Sequence, residues 1–211
     1  DSFSDPFNQG PKDDKHVLRN RVNNARMDGK LNIAAMGLKA FPPEVLKMYD
    51  AAAMEESKVS WAEVVDLTKL IAADNEFEAI GASVFPDKSF EDFNDEEDSQ
   101  GNQFGGLELL DLHGNALTTI PIGLRRLERL TSLNLSHNKL DNSALDIVAQ
   151  IKLLKELKLS HNAIAGHLPL SITELPYLEV LELQDNRLLG LPEAVRELVN
   201  LRVLNVGHNQ L

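Results

Sequence analysis

The 211-residue chain has no cysteine. That excludes a thiol nucleophile, a disulfide framework and a zinc site built on thiolates. Aromatic residues are scarce at 5%, so the core must be filled largely by aliphatic side chains. No run of about 18 apolar residues occurs, so no segment reads as a membrane-spanning helix. The opening stretch DSFSDPFNQG lacks the apolar centre of a signal peptide. It also begins without Met, which leaves room for a targeting segment trimmed away. Cations are outnumbered, 21 Lys and Arg against 33 Asp and Glu, for a formal charge of −12. Such a balance disfavours nucleic acid or an anionic membrane surface as partner. There is no P-loop, G-x-G-x-x-G, G-x-S-x-G or H-E-x-x-H, so the expectation is a non-enzyme that uses no cofactor.

What the sequence does contain is a repeat. LELLDLHGNAL, LTSLNLSHNKL, LKELKLSHNAI, LEVLELQDNRL and LRVLNVGHNQL begin at Leu107, Leu130, Leu154, Leu178 and Leu201, at spacings of 23, 24, 24 and 23 residues. Each fits L-x-x-L-x-L-x-x-N-x-L, the pattern of leucine-rich repeats, whose period is roughly 20–29 residues. Two degraded copies lie upstream. LTKLIAADNEF keeps Leu70, Asn75 and Phe77 in register, and Leu31, Ile33 and Leu38 fill the same slots earlier, with Met36 in the Asn position.

The residue types follow from geometry. The x-L-x-L part alternates as a strand with one buried face must, so Leu110 and Leu112 point inward and Asp111 outward. Successive strands should pair in parallel into one concave sheet. Asn75, Asn115, Asn138, Asn162, Asn186 and Asn209 then form a ladder whose amides serve backbone groups left unpaired where the chain exits each strand. The return segments carry apolar residues three apart, such as Leu124 and Leu127 or Val148 and Ile151, as short helical turns do. The expected fold class is therefore α/β: a leucine-rich repeat solenoid, or horseshoe, with a concave parallel β-sheet and an N-terminal capping helix.

The organisation follows. Residues 1–11 read as a disordered tail and 12–29 as the capping helix, with Asp13 or Asp14 at its start and Gly29 at its end. Val17, Leu18, Val22 and Ala25 fall near one face of that helix. Residues 30–211 hold about seven repeats, with insertions near 47–64 and 83–105. The Ala and Glu content of the first insertion, together with Trp61, suggests a short packed helix. The second carries six carboxylates between Glu91 and Asp98 and reads as a solvated flexible loop. A docking tail for a basic partner is the alternative, whereas the calcium-loop pattern is missing. Acidity is regional: residues 1–106 carry −10 and residues 107–211 carry −2. The chain stops at Leu211 just after a strand, which is expected of a fragment truncated within a longer solenoid.

His137, His161, Asp185 and His208 occupy one repeat position, with His113 one place earlier. A metal needs its ligands within about 2.1 Å, and this row steps by about 4.8 Å per strand, so the row is not a metal site. Asn134-Leu135-Ser136 is a glycosylation sequon in a predicted strand and is discounted. Partner contacts are expected from the outward concave positions: Asp111 and His113, Asn134 and Ser136, Lys158 and Ser160, Glu182 and Gln184, Asn205 and Gly207. Asp111, Lys158 and Glu182 would supply the charges, to a polar protein of mixed charge.

The repeats resemble the class of intracellular leucine-rich repeat proteins with 23-residue, Pro-bearing units. The front half, RMDGKLNIAAMGLKAFPPEVL followed by an insertion with Trp61 and by DLTKLIAADNEF, resembles leucine-rich repeat-containing protein 40 and its fungal relatives. The acidic insertion departs from that pattern. The resemblance implies a cytoplasmic or nuclear scaffold with no active-site motif to transfer, and the expectation is a monomer that binds a protein partner without catalysis. The absence of cysteine fits those compartments, because secreted solenoids usually close their ends with disulfides. A regulatory subunit or adaptor of an enzyme (a phosphatase, small GTPase or ubiquitin ligase) is the other reading.

Overall fold

The computed structural model describes residues 11–94 and 102–211. The local sequence pattern is written into the backbone at each repeat. Every x-L-x triplet is a three-residue strand: β1 (Lys30–Asn32), β2 (Lys69–Ile71), β3 (Leu109–Asp111), β4 (Ser132–Asn134), β5 (Glu156–Lys158), β7 (Val180–Glu182) and β9 (Val203–Asn205). They form one parallel sheet in the order β1-β2-β3-β4-β5-β7-β9. The register is set by the central leucine, since Leu31, Leu70, Leu110, Leu133, Leu157, Leu181 and Leu204 pair in succession. A slip of one residue would turn each of these leucines out of the core, so the burial pattern itself enforces the alignment.

The core is a column of aliphatic rungs. Leu107, Leu110, Leu112, Leu117, Leu124 and Leu127 of the third repeat are all buried, as are their counterparts in the next two. Return segments begin at a proline whose extended backbone turns the chain into a 3-10 helix. This happens at Pro121 before Ile122–Arg126, Pro169 before Leu170–Glu174, and Pro192 before Glu193–Glu197. The fourth repeat has no proline there and makes the short helix α5 (Ser143–Val148) instead. A second, two-stranded parallel sheet joins β6 (Ala165–His167) to β8 (Arg187–Gly190).

The asparagines work between repeats rather than within one. Asn138 donates from Nδ2 to the carbonyls of Leu112 (3.0 Å), Leu135 (3.1 Å) and Ser136 (3.3 Å). Its Oδ1 accepts from the Leu117 N–H of the preceding repeat (3.0 Å). Asn115, Asn162, Asn186 and Asn209 repeat the scheme, and Asn75 starts it by accepting from Met36 and Leu38 N–H. Consequently one carbonyl in each of the five middle repeats receives two amides. Leu135 O accepts from Asn138 and from Asn162 (3.0 Å), and Leu159 O from Asn162 and Asn186.

The N-terminal helix α1 spans Pro11–Asp28. Asp13 and Asp14 thus lie inside it rather than at its start, because Pro11 already occupies the first turn, where a missing N–H costs nothing. Leu18, Val22 and Ala25 are buried against the first repeat, whereas Val17 is exposed. Gly29 ends the helix at φ +73°, with its N–H donated to Ala25 O.

The first long connection contains α2 (Pro43–Leu46) and α3 (Ala51–Ser57). Met54, not Trp61, anchors it: Met54 is buried and Trp61 is 59% exposed. The second connection is tied down at its stems. Phe85 and Phe104 lie 5.4 Å apart, and Phe41 contacts both as well as stacking on Phe77. Within the stretch expected to be a plain loop, α4 (Phe90–Asn94) is helical and Asp87 is clamped by Arg125 (2.7 Å) and Arg126 (2.8 Å). Those two hydrogen-bonded guanidinium groups, Arg125 first, hold the Asp87 carboxyl down at about 2. Residues 95–98, which carry four of the six carboxylates, and the tail 1–10 lie outside the described residues.

Candidate interaction surface

The parallel sheet lays out its outward side chains in rows. Along the centre run Asn32, Ile71, Asp111, Asn134, Lys158, Glu182 and Asn205, each aligned with the next by strand pairing. The short polar members of this row are partly committed to their own backbone. Oδ1 of Asn32, Asp111, Asn134 and Asn205 accepts the N–H two residues on, at 2.9–3.2 Å. Such bonds hold the chain as it leaves the strand. Asp111 additionally lies 2.6 Å from His113 Nδ1, while His113 Nε2 is 3.6 Å from Asp74. Lys158 and Glu182 differ. Among the described residues their side chains make no hydrogen bond or ion pair, although both are half-buried and their strands are neighbours.

Ser136 and Ser160, expected to face outward, are buried at 6% and 5% exposure. Each is followed by a histidine. His137 and His161 stack at 4.1 Å between ring centroids, and His161 Nε2 reaches Asp185 Oδ2 at 3.1 Å. These residues stand in a backbone conformation that the repeat motif did not reveal. Ala35, Asp74, His137, His161, Asp185 and His208 all have φ between +52° and +56°, and Gly114 at the same position has φ +68°. Left-handed backbone of this kind is adopted most readily by Gly, Asn, Asp and His, which accounts for the residue types of the row. The sequence offered a signal, the recurrence of S-H-N, but not its cause. No group of three or more metal-ligating side chains occurs among the described residues, and no described helix is long and apolar enough to cross a membrane.

Tyr49 marks where the first long connection meets the solenoid. Its hydroxyl donates to Val65 O at 2.9 Å, and burial, with Asp66 adding to it, pushes its pKa up to about 12.

Comparison with known proteins supports the fold more than any activity. The family described as Leucine rich repeat matches residues 96–140 and 152–211. Protein flightless-1 homolog of Caenorhabditis elegans is 31% identical over 50% of this chain and 8% of its own length. Leucine-rich repeat and calponin homology domain-containing protein 1 of Mus musculus is 29% identical over 97% of this chain and 20% of its own. The chain therefore spans a fifth or less of these relatives. The leucine-rich repeat ectodomain of the plant membrane receptor kinase GASSHO1/SCHENGEN3 from Arabidopsis thaliana superposes with a TM-score of 0.55 at 25% identity, covering 81% of this chain and 17% of that one. That ectodomain was solved in complex with CASPARIAN STRIP INTEGRITY FACTOR 2. With seven parallel strands, a capping helix and the matched repeats, this chain is a leucine-rich repeat solenoid of the α/β class.

Proposed function

We propose that the chain is a non-catalytic scaffold that binds a protein partner through the concave sheet. The carrying observation is the unpaired, half-buried Lys158 and Glu182, aligned on adjacent strands of the sheet. Holding two opposite charges so close without pairing them leaves both available to a partner presenting the complementary pair. Partial burial strengthens such contacts relative to fully solvated ones. Asp111, His113 and Asn134 flank this centre as polar contacts already fixed in position, so their ordering cost is small. The complex of the plant ectodomain favours a binding role by analogy of fold. The narrower resemblance to leucine-rich repeat-containing protein 40 and its fungal relatives, with cytoplasmic or nuclear residence and a monomeric state, belongs to the same proposal.

The test is a charge swap, Lys158→Glu with Glu182→Lys, in the full-length protein. Partners are captured from cells, identified by mass spectrometry and titrated calorimetrically. Each single reversal should weaken a direct partner by about tenfold or more while the far-ultraviolet circular dichroism is unchanged. Wild-type affinity in both single variants would rule out the concave centre as the contact.

A further inference from the structure

We propose that the cleft between α1 and the α2–α3 connection is an oxyanion site that takes a phosphoryl group. Its floor is Arg26, only 4% exposed. A guanidinium this buried stays charged, since its pKa lies far above neutrality, so its lost hydration must be replaced by partners. The partners present are both neutral. Nε donates to Met48 O at 2.6 Å and Nη1 to Asn23 Oδ1 at 2.6 Å. No carboxylate among the described residues pairs with it, and burial lowers its pKa, opposed only by the nearby Tyr49 phenol. A buried cation served only by neutral acceptors is an electrostatic vacancy for an anion.

The cleft gives that anion access and company. It holds about 400 Å³ and is lined by Arg19, Asn23 and Arg26 of α1 together with Glu44, Lys47 and Glu56. Arg19, Asn23 and Arg26 fall at spacings of four and three, which put them on one helix face. Lys47 makes no side-chain hydrogen bond or ion pair among the described residues. Arg19 is held only by an exposed contact to Glu56 at 3.7 Å, which a stronger anion displaces readily. Three cations thus outnumber two carboxylates in a chain whose overall charge is −12. A planar, forked guanidinium flanked by an ammonium suits the several acceptor oxygens of a phosphate better than the two of a carboxylate. The volume exceeds a bare phosphate ion and admits the side chain that would carry it.

The experiment is a titration of the full chain at constant ionic strength with inorganic phosphate, phosphoserine or chloride, followed by thermal midpoint and by the Arg26 Nε–H resonance. Phosphate and phosphoserine should raise the midpoint saturably and shift that resonance, and chloride should do neither. Tighter binding of phosphoserine assigns the site to a phosphorylated side chain, and equal binding assigns it to the free ion. Because Arg26→Met can fail to fold, the exposed variants Lys47→Glu and Arg19→Glu carry the decision. Each should lose about tenfold in affinity without lowering the ligand-free midpoint. A response that chloride reproduces, or one that both variants retain in full, overturns the proposal.

Discussion

Removing one asparagine from the ladder should cost less than its four hydrogen bonds suggest, and removing two neighbours should cost more than their sum. In Asn138→Ala the Leu117 N–H loses its acceptor. The three carbonyls served by Asn138 each keep another donor: Leu112 O retains Asn115, Leu135 O retains Asn162, and Ser136 O retains the Gly114 N–H. The single variant therefore orphans one buried donor, a loss of about 1–3 kcal/mol. Asn162→Ala behaves alike, orphaning the Leu140 N–H. In the double variant Leu135 O loses both of its amide donors at once. That adds the desolvation of a buried carbonyl, about 1 kcal/mol or more beyond additivity. Asn138 and Asn186 share no carbonyl, so that pair should be additive within about 0.5 kcal/mol. The assay is urea unfolding followed by circular dichroism, with equal slopes required across variants. A coupling for positions 138 and 162 no larger than that for 138 and 186 would refute the shared-carbonyl reasoning.

Two further outcomes follow from the second connection. A Cβ at Gly123 would sit 1.7 Å from Phe85 O, so Gly123→Ala should displace the Phe85 stem and lower stability by about 1–3 kcal/mol. Gly81→Ala, where the nearest neighbouring atom is 3.8 Å away, is the control, and equal thermal midpoints for the two variants would contradict the close approach. The Asp87 carboxyl is depressed from its ordinary 3.8 to about 2, so its stabilisation is complete above the ordinary value and disappears as pH falls through the lower one. Asp87→Asn should be the less stable protein at neutral pH and should show a shallower acid loss in that window, and parallel acid slopes would count against the clamp.

The repeat register, the inward leucines and the sites of the asparagines were legible in the sequence because each depends on residues a few places apart. What was not legible depends on contacts across long separations. Gly123 looks like any surface glycine until Phe85 is laid against it. Arg26 reads as one more charge on a capping helix, since its acceptor Met48 lies 22 residues away. Ser136 and Ser160 sit at outward positions by alternation, yet both are buried, each just before one of the stacked rings of His137 and His161. That stack depends on a positive φ the motif does not announce. Trp61 misled in the opposite direction, because a large apolar side chain in a short helical connection suggests packing that Met54 performs instead. Among the concave candidates, alternation could name Asp111, Asn134, Lys158 and Glu182 alike. Only side-chain geometry separates the two that turn back to their own backbone from the two that remain unpaired.

The asparagine ladder also explains how the solenoid absorbs its long connections. Asn115 reaches back to Ala72 O across 43 residues, whereas Asn138 reaches Leu112 O across 26, and the two bonds are 3.1 and 3.0 Å long. In polymer terms, lengthening a closed loop in that ratio adds only about 0.5 kcal/mol of closure entropy. The ladder is fixed by where each strand ends, so it is blind to the contour length of the chain between rungs. Segments can therefore lengthen on the outer side of the horseshoe while the spacing of the concave rows stays constant.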